Sequence, residues 1–153
     1  MLGSLAAILR KAQAHATERK IEPDALLQAR LSPDMFPLTR QVEIACDFAR
    51  GVPARLGGVE VMGIPDGART FEALQDVIAR TLAFVDGIPA ERIDGSEDRE
   101  IVLRPGTPKE KRLDGQSYLL GYGLPNFFFH VTTAYALLRH NGVEIGKRDY
   151  MGL

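Results

Sequence analysis

The chain of 153 residues has one cysteine, Cys46, and no tryptophan. A single cysteine excludes an intrachain disulfide, and together with the lack of a signal peptide it places the expected location in a reducing cytoplasm. The N-terminus has no basic region ahead of its apolar run, as a secretory signal would. No apolar stretch approaches the roughly 20 residues that a membrane-spanning helix needs. Charge of neither sign dominates: 19 Lys and Arg face 20 Asp and Glu, a net charge of −1. That balance gives no basic face for nucleic acid and no attraction to an anionic membrane. Histidine is also scarce, with only His15, His130 and His140.

What is present describes an ordinary soluble globule, 45% hydrophobic and 25% charged. The length predicts one domain over residues 1–153, large enough to bury a core. Leu2, Leu5, Leu9, Ala12 and Ala16 recur at helical spacing and predict a first helix over 2–20. Ala25–Ala29 suggests a short helical turn. A second helix is expected from Ser32-Pro33-Asp34, with Ser32 as N-cap and Pro33 in the first turn. Leu38, Gln41, Val42, Ala45, Phe48 and Ala49 form its apolar face. Thr39, Arg40, Glu43, Asp47 and Arg50 form the wet one, and Arg30, Asp34 and Arg40 are expected to pair around its start.

Residues 51–69 are rich in Gly and Pro and predict a loop. Thr70 caps a third helix whose buried face is Phe71, Leu74, Ile78, Leu82 and Val85, ended by Gly87 and Pro89. Glu100–Arg104 and Lys109–Leu113 flank turn chemistry and predict a β-hairpin. Residues 117–123 are a short helical or irregular approach to a fourth helix over Leu124–Gly142. There Pro125 suits the first turn and Gly142 the position past the end. The tail beyond Gly142 is polar and expected to be extended. The fold class is therefore mainly α, a four-helix bundle with a short hairpin inserted between its third and fourth helices.

The fourth helix carries the chemistry. Asn126, His130, Ala134, Leu137 and Asn141 share one stripe. His130 and His140 are separated by roughly 15 Å along a continuous helix, so the three histidines do not form one metal site. Gln41 points inward from the second helix and is expected to meet Asn126 and His130. That polar set reads either as a pocket for a small molecule or a weakly held metal, with His130 as base or ligand, or as a hydrogen-bonded core network. Cys46 reads as inert packing. Phe127-Phe128-Phe129 cannot all face one core, so one packs under a loop or marks a dimer surface. Tyr135 and Arg139, with Phe128, lie opposite His130, where a subunit or the tail would cover them.

Residues 30–49, RLSPDMFPLTRQVEIACDFA, and 124–152, LPNFFFHVTTAYALLRHNGVEIGKRDYMG, resemble an uncharacterised bacterial domain family among the DinB/YfiT-like four-helix bundles. The resemblance spans nearly the whole chain. It implies a relationship to metal-dependent thiol transferases and hydrolases, which hold a divalent ion through one histidine of the second helix and an HxxxH pair of the fourth, often before an LRxxG ending. Leu138-Arg139-His140-Asn141-Gly142 matches that ending. By that alignment His130 is the second histidine of the pair, Asn126 stands at the first, and Gln41 takes the remaining ligand position. Two of three ligands are thus amides. The expected function is a binding or structural module with a degenerate metal site, acting on a small-molecule ligand or as a homodimer. The alternative is a metal-dependent transferase or hydrolase using His130 with an ion such as zinc or nickel.

Overall fold

Each bundle helix begins and ends where local chemistry permits. The computed structural model describes residues 1–153. Helix α1 runs Leu2–Arg19 and stops at Lys20, whose left-handed backbone (φ 56°) lets the Lys20 and Ile21 amides close on the Thr17 and Ala16 carbonyls. Helix α2, Pro23–Leu27, is the expected short turn, set slightly earlier. Helix α3 spans Leu38–Gly57 and departs from expectation at both ends.

Its start lies beyond Pro37, not at Ser32. A helix through residues 33–37 would set the Pro37 ring against the Pro33 carbonyl and force Phe36, the residue before a proline, into a disfavoured conformation. Residues 32–35 instead form a turn, with Met35 N–H on the Ser32 carbonyl at 2.9 Å and the Ser32 hydroxyl on Asp34 at 2.5 Å. The expected Arg30–Asp34–Arg40 cluster does not form. Arg30 donates to the Met35 carbonyl, and Arg40 pairs with Glu43 and Asp66.

At the other end, α3 continues through Pro53 to Gly57, so the predicted 51–69 loop is shorter. A proline inside a helix costs about 3 kcal/mol. Burying Val52 and Leu56 under the hairpin offsets it, at roughly 1.5–3 kcal/mol per large apolar side chain. Helix α4, Phe71–Asp86, has the predicted cap, with Thr70 Oγ1 accepting from Ala73 N–H at 3.1 Å. Helix α5 is a single turn, Ala90–Ile93.

Strands β1 (Ile101–Leu103) and β2 (Lys111–Leu113) form the expected antiparallel hairpin, Val102 opposite Arg112. Helix α6 (Gly115–Tyr118) passes into a π-helical turn over Leu119–Gly123 and then into α7, Leu124–His140. Helix α7 ends at Asn141, whose side chain donates to the Leu137 carbonyl at 2.8 Å, and Gly142 takes φ 87°. The tail is not extended. Val143 and Ile145 are buried and Lys147–Met151 forms α8 against α1, held by Lys11 to Asp149 at 2.5 Å.

The result is a mainly helical fold with a two-stranded antiparallel sheet. Helix α3 packs against both α4 and α7, and α1 against α4 and α7. The main core joins α1, α3, α4 and α7 around Leu5, Leu9, Leu38, Val42, Leu74 and Leu137. A second cluster sets Val52 and Leu56 against Ile101, Leu103 and Tyr118. No helix is long and apolar enough to cross a membrane.

The wet face expected on α3 is covered too. Thr39, Glu43 and Arg50 are buried. The segment after α3 runs back along the helix, and the Gly67 and Ala68 amides donate to Glu43 Oε1 at 2.7 and 2.8 Å. Charged side chains enter here because each finds partners, the condition for burying them.

Candidate functional site: a hydrogen-bonded histidine beside an arginine-lined cavity

His130 and Gln41 meet as the sequence predicts. His130 Nδ1 lies 2.7 Å from Gln41 Oε1, and Gln41 Nε2 donates to the Phe36 carbonyl at 3.1 Å. The Gln41 oxygen must therefore accept, so Nδ1 carries the imidazole proton and Nε2 is the bare nitrogen. Burial, and then the nearby charge of Arg40, push the His130 pKa below its ordinary value, keeping the ring neutral. The ring stacks on Phe48 at 6.1 Å and meets the edge of Phe129 at 5.2 Å.

Asn126 does something else. Its side-chain N–H donates to the Tyr122 carbonyl at 2.7 Å, one turn back. Pro125 has no N–H to offer this stretch and the π turn widens it, so an amide side chain serves the local backbone. Asn126 makes no hydrogen bond to Gln41 or His130. His15 and His140 lie on other surfaces, and no three His, Cys, Asp or Glu side chains converge on a point that would hold a metal.

Cys46 is fully buried and its thiol is pushed up to about 12 by burial, so it stays protonated at neutral pH. Of the three consecutive phenylalanines, Phe127 is half-buried against the core and Phe128 and Phe129 are exposed. Tyr135 packs on Tyr150 of α8 at 5.6 Å, and Thr132 Oγ1 bonds the Tyr150 hydroxyl at 2.9 Å. The tail covers that part of α7.

Phe48 also borders a cavity of about 350 Å³ that sequence reasoning did not find. Arg40, Asp47 and Arg55 enter it from α3, Leu103 and Arg104 from the end of β1, and Tyr118 and Tyr122 from α6 and the π turn. Arg55 Nη1 donates to the Tyr118 hydroxyl at 3.2 Å. Asp47 pairs with Arg50 at 2.6 Å, and its carboxyl is raised by burial, which outweighs the opposing charge of Arg50. Arg104 holds a left-handed backbone, φ 51°, a strain of roughly 1–2 kcal/mol for a residue with a Cβ. Gly123 allows the close approach of the π turn to α3, since a Cβ there would lie 2.6 Å from Val52 Cγ2. A wider groove of about 730 Å³ on the other side of Arg40 is almost wholly polar, unlike most ligand sites.

The comparisons fit this architecture. A family model described as a domain of unknown function, DUF1993, matches residues 1–151. The chain belongs to the DUF1993 family. A crystal structure described as a DinB family member protein from Shewanella denitrificans superposes with a TM-score of 0.93 at 40% identity, covering 100% of this chain and 86% of that one. No curated protein matches. The DinB-like fold of this DUF1993 member, expected from residues 30–49 and 124–152, is thus borne out. In it, the facing sides of α3 and α7 carry the Gln41–His130 pair and, beside it, the arginine-lined cavity.

The cavity was missed for a physical reason. Its residues come from three segments that no local period connects, and arginines on helix flanks and turns read as solvated. The one local signal was Tyr118 and Tyr122, four residues apart and so on one face if that approach is helical.

Proposed function

We propose that this DUF1993 domain is a small-molecule-binding module that has lost metal-dependent chemistry. The observation that carries the reading is the closed chain from His130 through Gln41 to the Phe36 carbonyl. Gln41 spends both ends of its amide on protein groups, and Asn126 spends its N–H on Tyr122. Amides are weak ligands beside histidine or carboxylate. His130 alone then offers one nitrogen, Nε2, where a catalytic zinc takes three protein ligands.

Calorimetric titration of Zn²⁺ and Ni²⁺ into the full chain tests this. Binding no tighter than about 100 μM is expected, the weak affinity of one imidazole. His130→Ala should cost about 1–3 kcal/mol of stability at pH 8, because it orphans a polar partner. That gap should narrow as pH falls below the ordinary histidine value of 6.5. The folded pKa is depressed, so the unfolded state takes up the proton first and the histidine's contribution is lost on the acid side. Micromolar affinity that disappears in His130→Ala would instead establish the metal-dependent alternative, for which the bare Nε2 is the supporting feature.

A further inference from the structure

The reading as a small-molecule module leaves the ligand open, and the charges around the 350 Å³ cavity narrow it. Arg40 is neutralised by Glu43 at 3.1 Å and Asp66 at 2.5 Å. Asp47, the cavity's carboxylate, is engaged by Arg50 at 2.6 Å. Arg55 and Arg104 have no carboxylate partner within ion-pair distance, yet both face this concavity. Arg55 uses one N–H on the Tyr118 hydroxyl and keeps the others free. Lys111 lies over the Tyr122 ring, 5.9 Å from its centroid.

The apolar wall is aromatic. Phe48 and Tyr122 stand 5.8 Å apart at 60°, and Tyr122 stacks on Tyr118 at 6.0 Å. Aromatic walls of this kind favour a flat apolar body in offset or edge contact. Guanidinium forks favour carboxylate or phosphate oxygens.

Two departures from regular backbone deliver these groups to one place. The π turn carries Tyr122, and the left-handed residue at the end of β1 is Arg104, where glycine or asparagine would sit without strain. Departures of both kinds concentrate at functional sites.

Resting on the small-molecule reading above, we propose that the cavity binds a small organic oxyanion with a flat apolar body. A carboxylate or phosphate group sits between Arg55 and Arg104, and the body lies against Phe48 and Tyr122. The cavity volume lies near the lower end of the range for ligand sites, which sets the size at about one ring plus its acidic group.

The test is titration of the full chain with phenyl phosphate, phenylacetate, inorganic phosphate and benzyl alcohol, read by calorimetry and by amide shifts at Phe48 and Tyr122. At least one of the two aromatic anions should bind at about millimolar or tighter, more weakly as salt rises. Arg104→Asn removes the cation while tolerating the left-handed backbone, and should weaken binding about tenfold or more. Arg55→Gln should do the same. Binding unchanged in a folded Arg104→Asn variant would overturn the proposal, as would no binding of either aromatic anion at about 10 mM. Benzyl alcohol binding as well as the anions would overturn the anion class while keeping the small-molecule reading. Inorganic phosphate matching phenyl phosphate would overturn the aromatic half. None of these outcomes depends on the metal titration, so the two readings fail separately.

Discussion

Arg50→Ala should lower the free energy of unfolding by about 2–4 kcal/mol, read as a shift of the denaturant midpoint. The guanidinium is almost wholly enclosed and makes three different bonds: Nε to the Met62 carbonyl at 3.1 Å, Nη1 to Thr81 Oγ1 at 3.3 Å, and Nη2 to Asp47 at 2.6 Å. Alanine leaves a void the size of a long side chain and orphans the Met62 carbonyl. Asp47 is 41% exposed, so water recovers part of its loss, which keeps the figure below that for a fully buried pair. Arg50→Lys should restore less than half, because one ammonium cannot reach three acceptors held in a planar fork. A cost below about 1 kcal/mol for Arg50→Ala would mean that the segment after α3 is not anchored through this residue.

Arg50 also marks where the sequence misleads. It stands on the polar side of α3, and a helical wheel leaves it in water. Nothing local reveals that residues 58–69 fold back over that side, since the cover is bound by Glu43 and Arg50 themselves. The same logic hides the cavity. Periodicity reports which face of an element is apolar, and so α1, α4 and the hairpin were legible from Leu2–Ala16, Phe71–Ile78 and Ile101–Leu113. It does not report which polar side chains meet at the far end of the chain. Proline misleads in both directions on α3. Pro37 excludes the helix from residues 33–37 as its chemistry dictates, whereas Pro53 is overridden by the burial of Val52 and Leu56.

The fourth helix was the most legible part and still only half of its site. The meeting of His130 with Gln41 followed from two stripes on facing helices, a geometry that sequence spacing encodes. Asn126 shares the stripe but not the contact, because the π turn before it changes which backbone groups need a partner. A π insertion carries no periodic signature, so its effects at Tyr122 and Asn126 are tertiary facts. The inference of a lost metal site and the proposal of an anion site thus have different origins. The first rests on residue types at aligned positions, the second on surroundings that only the fold assembles.

Gly115→Ala should cost about 2–3 kcal/mol, as overpacking against rigid neighbours does. A Cβ at Gly115 would lie 1.9 Å from the Ser96 carbonyl oxygen and 3.2 Å from that of Glu97, both backbone atoms that cannot rotate away. The two segments are also bonded, Gln116 N–H to the Glu97 carbonyl at 2.9 Å, so relief of the clash breaks that bond. Gly121→Ala is the internal control. Nothing lies within 4 Å of its Cβ position and its backbone is ordinary, so the change should stay within about 0.5 kcal/mol or stabilise slightly. The damage from Gly115→Ala should reach the cavity, because α6 starts at Gly115 and ends at Tyr118, the partner of Arg55. A variant that remains folded should therefore show moved amide resonances at Arg55 and Tyr122 as well as at Ser96. Equal stability of Gly115→Ala and Gly121→Ala would show that the contact between residues 96–97 and α6 is looser than this, and that Tyr118 is held by the second hydrophobic cluster and its bond to Arg55.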